Sequence, residues 1–456
     1  MKPVNAPYKS QIFGHPTGLF VLFFTEMWER FSYYGMRAIL TLYLVAKTAD
    51  TNPGLGWSHM EALQLYGWYT MLVYLMSIPG GFIADKFLGQ KKSVLIGGSL
   101  LVLGHGILAY QEMWAFYSGL VLIILGVGML KPNISTMVGG LYQKGDIRRD
   151  QGFTIFYIGI NIGALLAGLI VGYVGEIIGW HYGFGLAGIG MLLGLTVYYF
   201  GQPYLSEVGN FIGNSQTTQD KDALKKPLTK IEKDRVIVLF ISFLLVVVFW
   251  GAYEQAGGLL NLYALEKTNR NFMGMEIPAS WFQSLAAFFI IVFGTSVARF
   301  WAKRKLSGKN ANSFFKMLIG LIIMGTGFLF MSAAAAQFES HGSSAMYWLV
   351  LAYLFHTFGE LSLSPVALSF ITKLAPVKYA SIMMGIYFAM TGIGSKLAGE
   401  LGEAATQYGE FTIFTGIAVF CILFGILVLA FNKKIQQLSH GAEDDEHIIQ
   451  TIETNN

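Results

Sequence analysis

Residues 18–46 read GLFVLFFTEMWERFSYYGMRAILTLYLVA. The stretch exceeds the ~20 mostly apolar residues a helix needs to cross a bilayer. Yet Glu26, Glu29, Arg30, Tyr33, Tyr34 and Arg37 lie inside it, at offsets 0, 3, 4, 7, 8 and 11. At ~100° per residue these form a stripe about 140° wide on one helix face. A charge at the centre of a lipid-facing helix costs ~2.5–3.5 kcal/mol or more. The stripe must therefore face a polar interior, and the helix must belong to a bundle. Glu26 and Arg30 are i, i+4 neighbours that can pair. Protonating a carboxylate beside such a pair frees the cation, which makes the cluster a candidate protonation switch.

The rest of the chain has the composition of such a bundle. Its 456 residues are 54% hydrophobic and only 13% charged, against ~25% charged in soluble domains. That apolar content excludes disorder. The apolar runs are continuous rather than alternating, which argues against a transmembrane barrel. The net charge of +4 is too small to indicate nucleic acid, and the single Cys421 leaves no intramolecular disulfide or cysteine-rich metal site. Neither a metal nor another cofactor is expected.

The pattern gives an all-α polytopic membrane protein with twelve spans, at about 18–46, 60–84, 93–111, 114–139, 152–176, 182–203, 236–264, 280–302, 314–336, 345–372, 379–405 and 411–432. Residues 1–17 are polar and lack a small-residue cleavage site, so a cleaved signal peptide is not expected. With an even span count both termini share one side. The loops and ends on that side hold 24 Lys and Arg, among them Lys2, Lys9, Lys144, Lys221, Lys225, Lys226 and Lys378. The opposite loops hold only Lys47, Lys267 and Arg270. The positive-inside rule then puts both termini in the cytoplasm of a cell (plasma or inner) membrane protein. Polar residues 206–234 read as a cytoplasmic linker between six-helix halves at 1–205 and 235–434, and 435–456 as a cytoplasmic tail.

Besides the four on the first span, the charges read as lying well inside predicted spans are Lys131, Glu254 and Glu360. Glu26 and Glu254 are 228 residues apart, and Lys131 and Glu360 are 229 apart. Matching offsets are what two parallel repeats around a central site produce. Between the second and third spans, Gly81, Asp85, Gly89, Lys91 and Lys92 follow the loop spacing of the major facilitator superfamily, where glycines permit a tight turn and close helix approach. They are the candidate gating loop.

Several segments together resemble the proton-dependent oligopeptide transporters of that superfamily. Glu26 to Gly35 (EMWERFSYYG) matches that family's ExxERFxYYG. Gly80 to Asp85, Phe156 to Gly163 (FYIGINIG), Lys131-Pro132-Asn133, Trp250 to Gln255 and Phe358 to Pro365 resemble its other signatures. The resemblance implies a major facilitator fold and proton-coupled symport of di- and tripeptides into the cell by alternating access. It implies a proton-coupling set of Glu26, Glu29, Arg30 and Glu254. It also implies peptide contacts by Arg37 and Lys131 (carboxylate), Glu360 (amino group), and Asn161, Tyr33, Tyr34, Tyr74 and Tyr387. The chain departs from the family in having Ala286-Ala287 on the eighth span and Gly67 on the second, so His59 inherits no role.

The residues support that reading independently. A short peptide is a zwitterion whose site needs a cationic and an anionic end; Arg37 and Lys131 lie in the N-terminal half and Glu360 in the C-terminal half. The alternative is the same fold and proton coupling with another small solute: nitrate, an amino acid or an organic acid. An enzyme is not expected, since no HExxH or GxSxG occurs in a span. The expected partners are peptide, protons and the bilayer, with the monomer as the working unit. His356 sits four residues before Glu360 and reads as a packing residue. Lys396 and Glu400 read as an i, i+4 pair.

Overall fold

The computed structural model describes residues 10–143, 146, 148–206, 208–210, 227–376 and 379–442. Most of the expected linker, the tail beyond 442 and seven of the counted cations (Lys2, Lys9, Lys144, Lys221, Lys225, Lys226, Lys378) lie outside these residues.

The first six long helices are α1 (Thr17–Val45), α2 (His59–Ile83), α3 (Gln90–Leu108), α4 (Met113–Gly140), α5 (Arg148–Leu166) and α6 (Trp180–Gly201). The second six are α7 (Lys230–Tyr253), α8 (Trp281–Leu306), α9 (Ser313–His341), α10 (Met346–Leu374), α11 (Ala380–Tyr408) and α12 (Glu410–Ala430), and a short α13 (Asn432–Leu438) follows. Local chemistry sets several of these ends. Ser58 Oγ accepts from the Glu61 N–H at 3.3 Å while the Glu61 carboxylate accepts from the Ser58 N–H at 2.9 Å, a reciprocal cap that starts α2. Thr229 and Glu232 start α7 the same way, at 3.2 and 2.8 Å.

Three helices are less regular than the apolar pattern alone implies. α2 runs on through a π-helical turn, Ala84–Leu88, and α5 through two, Ala167–Val171 and Val174–Ile178. The single span expected over 236–264 is interrupted: α7 stops at Tyr253, a 3₁₀ turn covers Glu254–Gly257, and helix resumes over Leu259–Glu266. The Gly257-Gly258 pair gives the backbone freedom to break there. Pairs of two-residue strands, which the sequence pattern did not suggest, close the loops: Gln11–Ile12 with His15–Pro16, Asn271–Phe272 with Met275–Glu276, and Thr268–Asn269 parallel to Ser344–Ala345.

Among the described residues, ten helical segments are long and apolar enough to cross a membrane. α1 and α11, each 29 residues long, fall short on composition. α1 carries its four charges, and α11 is diluted by Gly, Ser, Thr and Lys396. The protein is thus a multi-pass helical membrane protein.

Within the first six helices, α1 packs on α5 and α6, α2 on α4, and α3 on α4 and α6. Within the second, α9 packs on α10 and α12, α7 on α11, and α8 on α10. The two groups meet along α2–α11 and α5–α8. These seams map onto each other when the first six helices are superposed in order on the last six. Small residues bring the backbones together, as in other membrane bundles. A Cβ on Gly67 would lie 3.0 Å from the Gly399 Cα, and one on Gly80 would run into the Gly128 carbonyl.

Candidate functional site

Between the two groups lies a cavity of about 250 Å³. α1 supplies Glu26, Arg30, Tyr34 and Arg37; α2 supplies Tyr74, α4 Lys131, and α5 Asn161. From the other group come Glu254, Glu360 (α10) and Tyr387 (α11). Ten of the twelve proton-coupling and peptide-contact residues read from the sequence therefore line one space.

The other two do not. Glu29 is fully buried behind the cavity wall and bonds to Arg30. Tyr33 is 4% exposed and belongs to the apolar core, its ring 5.5 Å from that of Tyr34. The stripe spans more of the helix than the cavity wets. Tyr33 and Tyr34 stand ~100° apart, and only Tyr34 is turned inward. Of the two phenols expected at the ligand, Tyr34 lines the cavity and Tyr33 does not.

The charges are organised in three ways. Arg30 serves two carboxylates: Nε is 3.2 Å from Glu26 Oε1 and also bonds Glu29. Its guanidinium lies over the Tyr33 and Tyr34 rings at 5.5 and 5.6 Å. Arg37 Nη1 donates to Glu254 Oε2 across the two groups at 2.9 Å, and the Tyr66 O–H donates to the same oxygen at 3.0 Å. Lys131 and Glu360 form no ion pair among the described residues. Lys131 Nζ rests 4.5 Å from the Tyr74 ring centre, and Glu360 accepts from the neutral Tyr253 hydroxyl at 2.5 Å. Arg37, expected as a ligand for substrate carboxylate, is thus already engaged by Glu254.

Some lining residues had no role in the sequence reading: Tyr157, Trp250, Tyr253, Gln283, Phe388 and Thr391. Two carried a usable signal. Tyr157 is four residues before Asn161 on the same helix face, and the Asn161 amide donates to its carbonyl at 2.9 Å. Tyr253 adjoins Glu254 at the helix break. Ala286 and Ala287 line the cavity. His356 does not: it is buried, its ring 4.5 Å from that of Phe328. His59 pairs instead with Glu266 at 2.8 Å, and Lys396 with Glu400.

The candidate gating loop is tightly tied. Gly89, at φ +77°, makes the turn between the π-helical end of α2 and α3. The Lys91 N–H donates to the Gly209 carbonyl at 2.9 Å, and its Nζ to Asn210 at 3.2 Å. Asp85 and Lys92 are exposed, and Gly81 approaches only Pro132.

Among the described residues, hydrogen bonds between the two groups gather at the end of the bundle opposite the N-terminus. Thr41 donates to the Gly257 carbonyl at 3.0 Å, and Asn261 to that of Ala38 at 2.8 Å. Gln64 meets Glu403 there at 2.8 Å. Ser135 and Leu368 line the cavity toward the other end.

A family model described as the POT family matches residues 91–224 and 215–413. The chain belongs to the POT family. The di-/tripeptide transporter of Lactococcus lactis subsp. cremoris is 36% identical, over 96% of this chain and 99% of that one. Among solved structures, a crystal structure of peptide transporter POT in complex with sulfate superposes with a TM-score of 0.88 at 34% identity, covering 95% of this chain and 98% of that one. A POT family transporter in complex with 5-aminolevulinic acid gives 0.87 at 30% identity, covering 94% and 98%. POT-family membership fixes the major facilitator fold for this chain and places it among transporters rather than among known enzyme families.

Proposed function

We propose that this POT-family protein carries di- and tripeptides into the cell with protons, by rocking of units 1–205 and 235–434 around the cavity. The observation that carries this is a pair of opposite charges on facing cavity walls, neither of them in an ion pair among the described residues. Lys131, free of any carboxylate among the described residues, suits a peptide carboxylate. Glu360, held only by a phenol, suits a peptide ammonium. A ligand joining them draws the two units together. Arg37 takes part by exchanging Glu254 for the peptide carboxylate, and Glu26, Glu29 and Arg30 hold and release the coupled proton.

The Lys and Arg asymmetry supports cytoplasmic termini. The bonded end is then extracellular, and the structure corresponds to an inward-facing state. A smaller amino acid with the same two charged ends, such as the compound bound by the relative above, would satisfy the same pair. Nitrate would leave Glu360 without a role.

The test is uptake of a labelled dipeptide into proteoliposomes with and without an inward proton gradient. Gradient-driven accumulation is expected in the wild type. In Glu29→Gln accumulation should disappear while peptide exchange persists, because the Arg30 cluster loses one of its two carboxylates. Accumulation that ignores the proton gradient would overturn the coupling.

A further inference from the structure

The α5–α8 seam holds a second contact of a different kind from the Arg37–Glu254 pair. α8 begins without help from its own N-cap, since Ser280 makes no side-chain capping bond. The Trp281, Phe282 and Gln283 N–H groups bond back to the Pro278, Ala279 and Ser280 carbonyls, whereas the two N–H groups just before them, on Ala279 and the N-cap Ser280, are satisfied from the other unit. Glu176, in the second π-helical turn of α5, accepts the Ala279 N–H on Oε2 at 2.9 Å and the Ser280 N–H on Oε1 at 2.8 Å. Ala279 and Ser280 are fully buried, so water does not compete for these groups.

Two α5 carbonyls reinforce the contact. The Trp281 indole N–H donates to the Leu169 carbonyl at 3.0 Å, and Ser284 Oγ donates to that of Leu165 at 3.0 Å. Leu169 lies within the first π-helical turn and Leu165 just before it, where the widened ladder shifts carbonyls from their usual partners. Gly168 and Gly172 allow the approach, because a Cβ at either would strike Ser284 or Ser280.

We infer that Glu176 is a gating residue: by capping the N-terminus of α8 from the opposite unit, it holds the extracellular end shut. The inference rests on the alternating-access reading above. A carboxylate with two N–H donors at a helix N-terminus has both a charge-assisted bond pair and a favourable helix dipole. Neither survives separation of the units, so opening outward exchanges the whole arrangement for water. Glu176, Ala279 and Ser280 do not line the cavity, so Glu176 acts on the state of the transporter and not on the ligand.

The experiment uses the full chain in lipid nanodiscs with Cys421→Ala, and spin labels on Thr48→Cys and Asn271→Cys, both exposed in loops of the bonded end. Pulsed dipolar spectroscopy reads the ratio of long to short separations, with no assumption about substrate or proton. Glu176→Ala should raise that ratio about tenfold, the scale of losing a charged helix cap. Glu176→Gln keeps the volume and one acceptor, and should fall between the two, which keeps the test available should the alanine variant fail to fold. Glu254→Gln serves as the reference that opens the other latch. If Glu254→Gln shifts the ratio and neither Glu176 variant does, Glu176 is structural and the inference fails while the transport reading stands. If no variant shifts it, the alternating-access reading falls as well.

Discussion

Replacing Glu360 by Gln tests the ammonium end of the cavity. Oε2 accepts from Tyr253 at 2.5 Å, which leaves Oε1 to meet a ligand. A Gln amide oxygen can keep the tyrosine bond, so the side chain should stay in place. What changes is the second atom, from an anionic acceptor to an amide donor. A peptide ammonium then loses a charge-assisted hydrogen bond worth ~1.5–3 kcal/mol. That corresponds to about 10- to 150-fold weaker competition by free-amine dipeptides. N-acetylated dipeptides carry no ammonium and should change by no more than about threefold, since the interaction they lack is the one removed. The assay is competition against a labelled dipeptide in proteoliposomes at fixed pH and gradient, with each acetylated peptide matched to its free-amine form. Equal losses for both forms would show that Glu360 supports the fold near Tyr253 and does not read the amino group.

Lys131→Gln should remove most of the preference for free-acid over C-terminally amidated dipeptides, a loss of ~2–5 kcal/mol for a buried charge left without its partner; an unchanged preference in matched competition would exclude Lys131 as the carboxylate site. Arg37→Lys keeps a charge but has no planar fork to pass from Glu254 to a peptide carboxylate, so the half-saturation concentration should rise about tenfold; an unaltered value would confine Arg37 to its pair with Glu254. Gly80→Ala places a Cβ on the immovable Gly128 carbonyl and should lower thermal stability in detergent by the equivalent of ~1–3 kcal/mol. Gly106→Ala, with open space around it, is the control. Equal unfolding temperatures for the two variants would show that α2 and α4 part easily.

The long apolar helices and most of the cavity charges were legible because each obeys a one-dimensional rule. Charges in lipid-length helices must face inward, and a period of 3.6 tells which face they share. What the sequence left hidden depends on the third dimension. Tyr33 and Tyr34 are neighbours in the same stripe, and only the packing of α5 and α6 on α1 decides which one is wet. Arg37 and Glu254 are both legible as buried charges, but their union across 217 residues of chain is not. The break after α7 was masked by the apolar runs on either side of it, although Glu254-Gln255 and Gly257-Gly258 marked it. Glu176 escaped because it sits at a predicted span end, where an acid attracts no notice. Its partners are backbone N–H groups, which leave no trace in side-chain identity.

The charges in and behind the cavity also bear on coupling. Glu26, Glu29, Glu254 and Glu360 stand against Arg30, Arg37 and Lys131, four carboxylates to three cations. Fully ionised, the set carries one net negative charge, and an uncompensated charge enclosed away from water is strongly unfavourable. While the cavity is open to water this charge is solvated. Once the units close, it must be neutralised. A zwitterionic peptide cannot do this, because it brings equal and opposite charges to Lys131 and Glu360. On the proposed reading the missing positive charge is a proton. Glu26 and Glu29 share a single guanidinium, so one of the two can become neutral without leaving Arg30 unpaired. Neutralising Glu254 would strand Arg37, unless a peptide carboxylate has already taken its place. On that reading substrate and proton act at successive steps: the peptide frees Glu254 to release its hold across the units, and the proton lets the loaded cavity seal without a net charge.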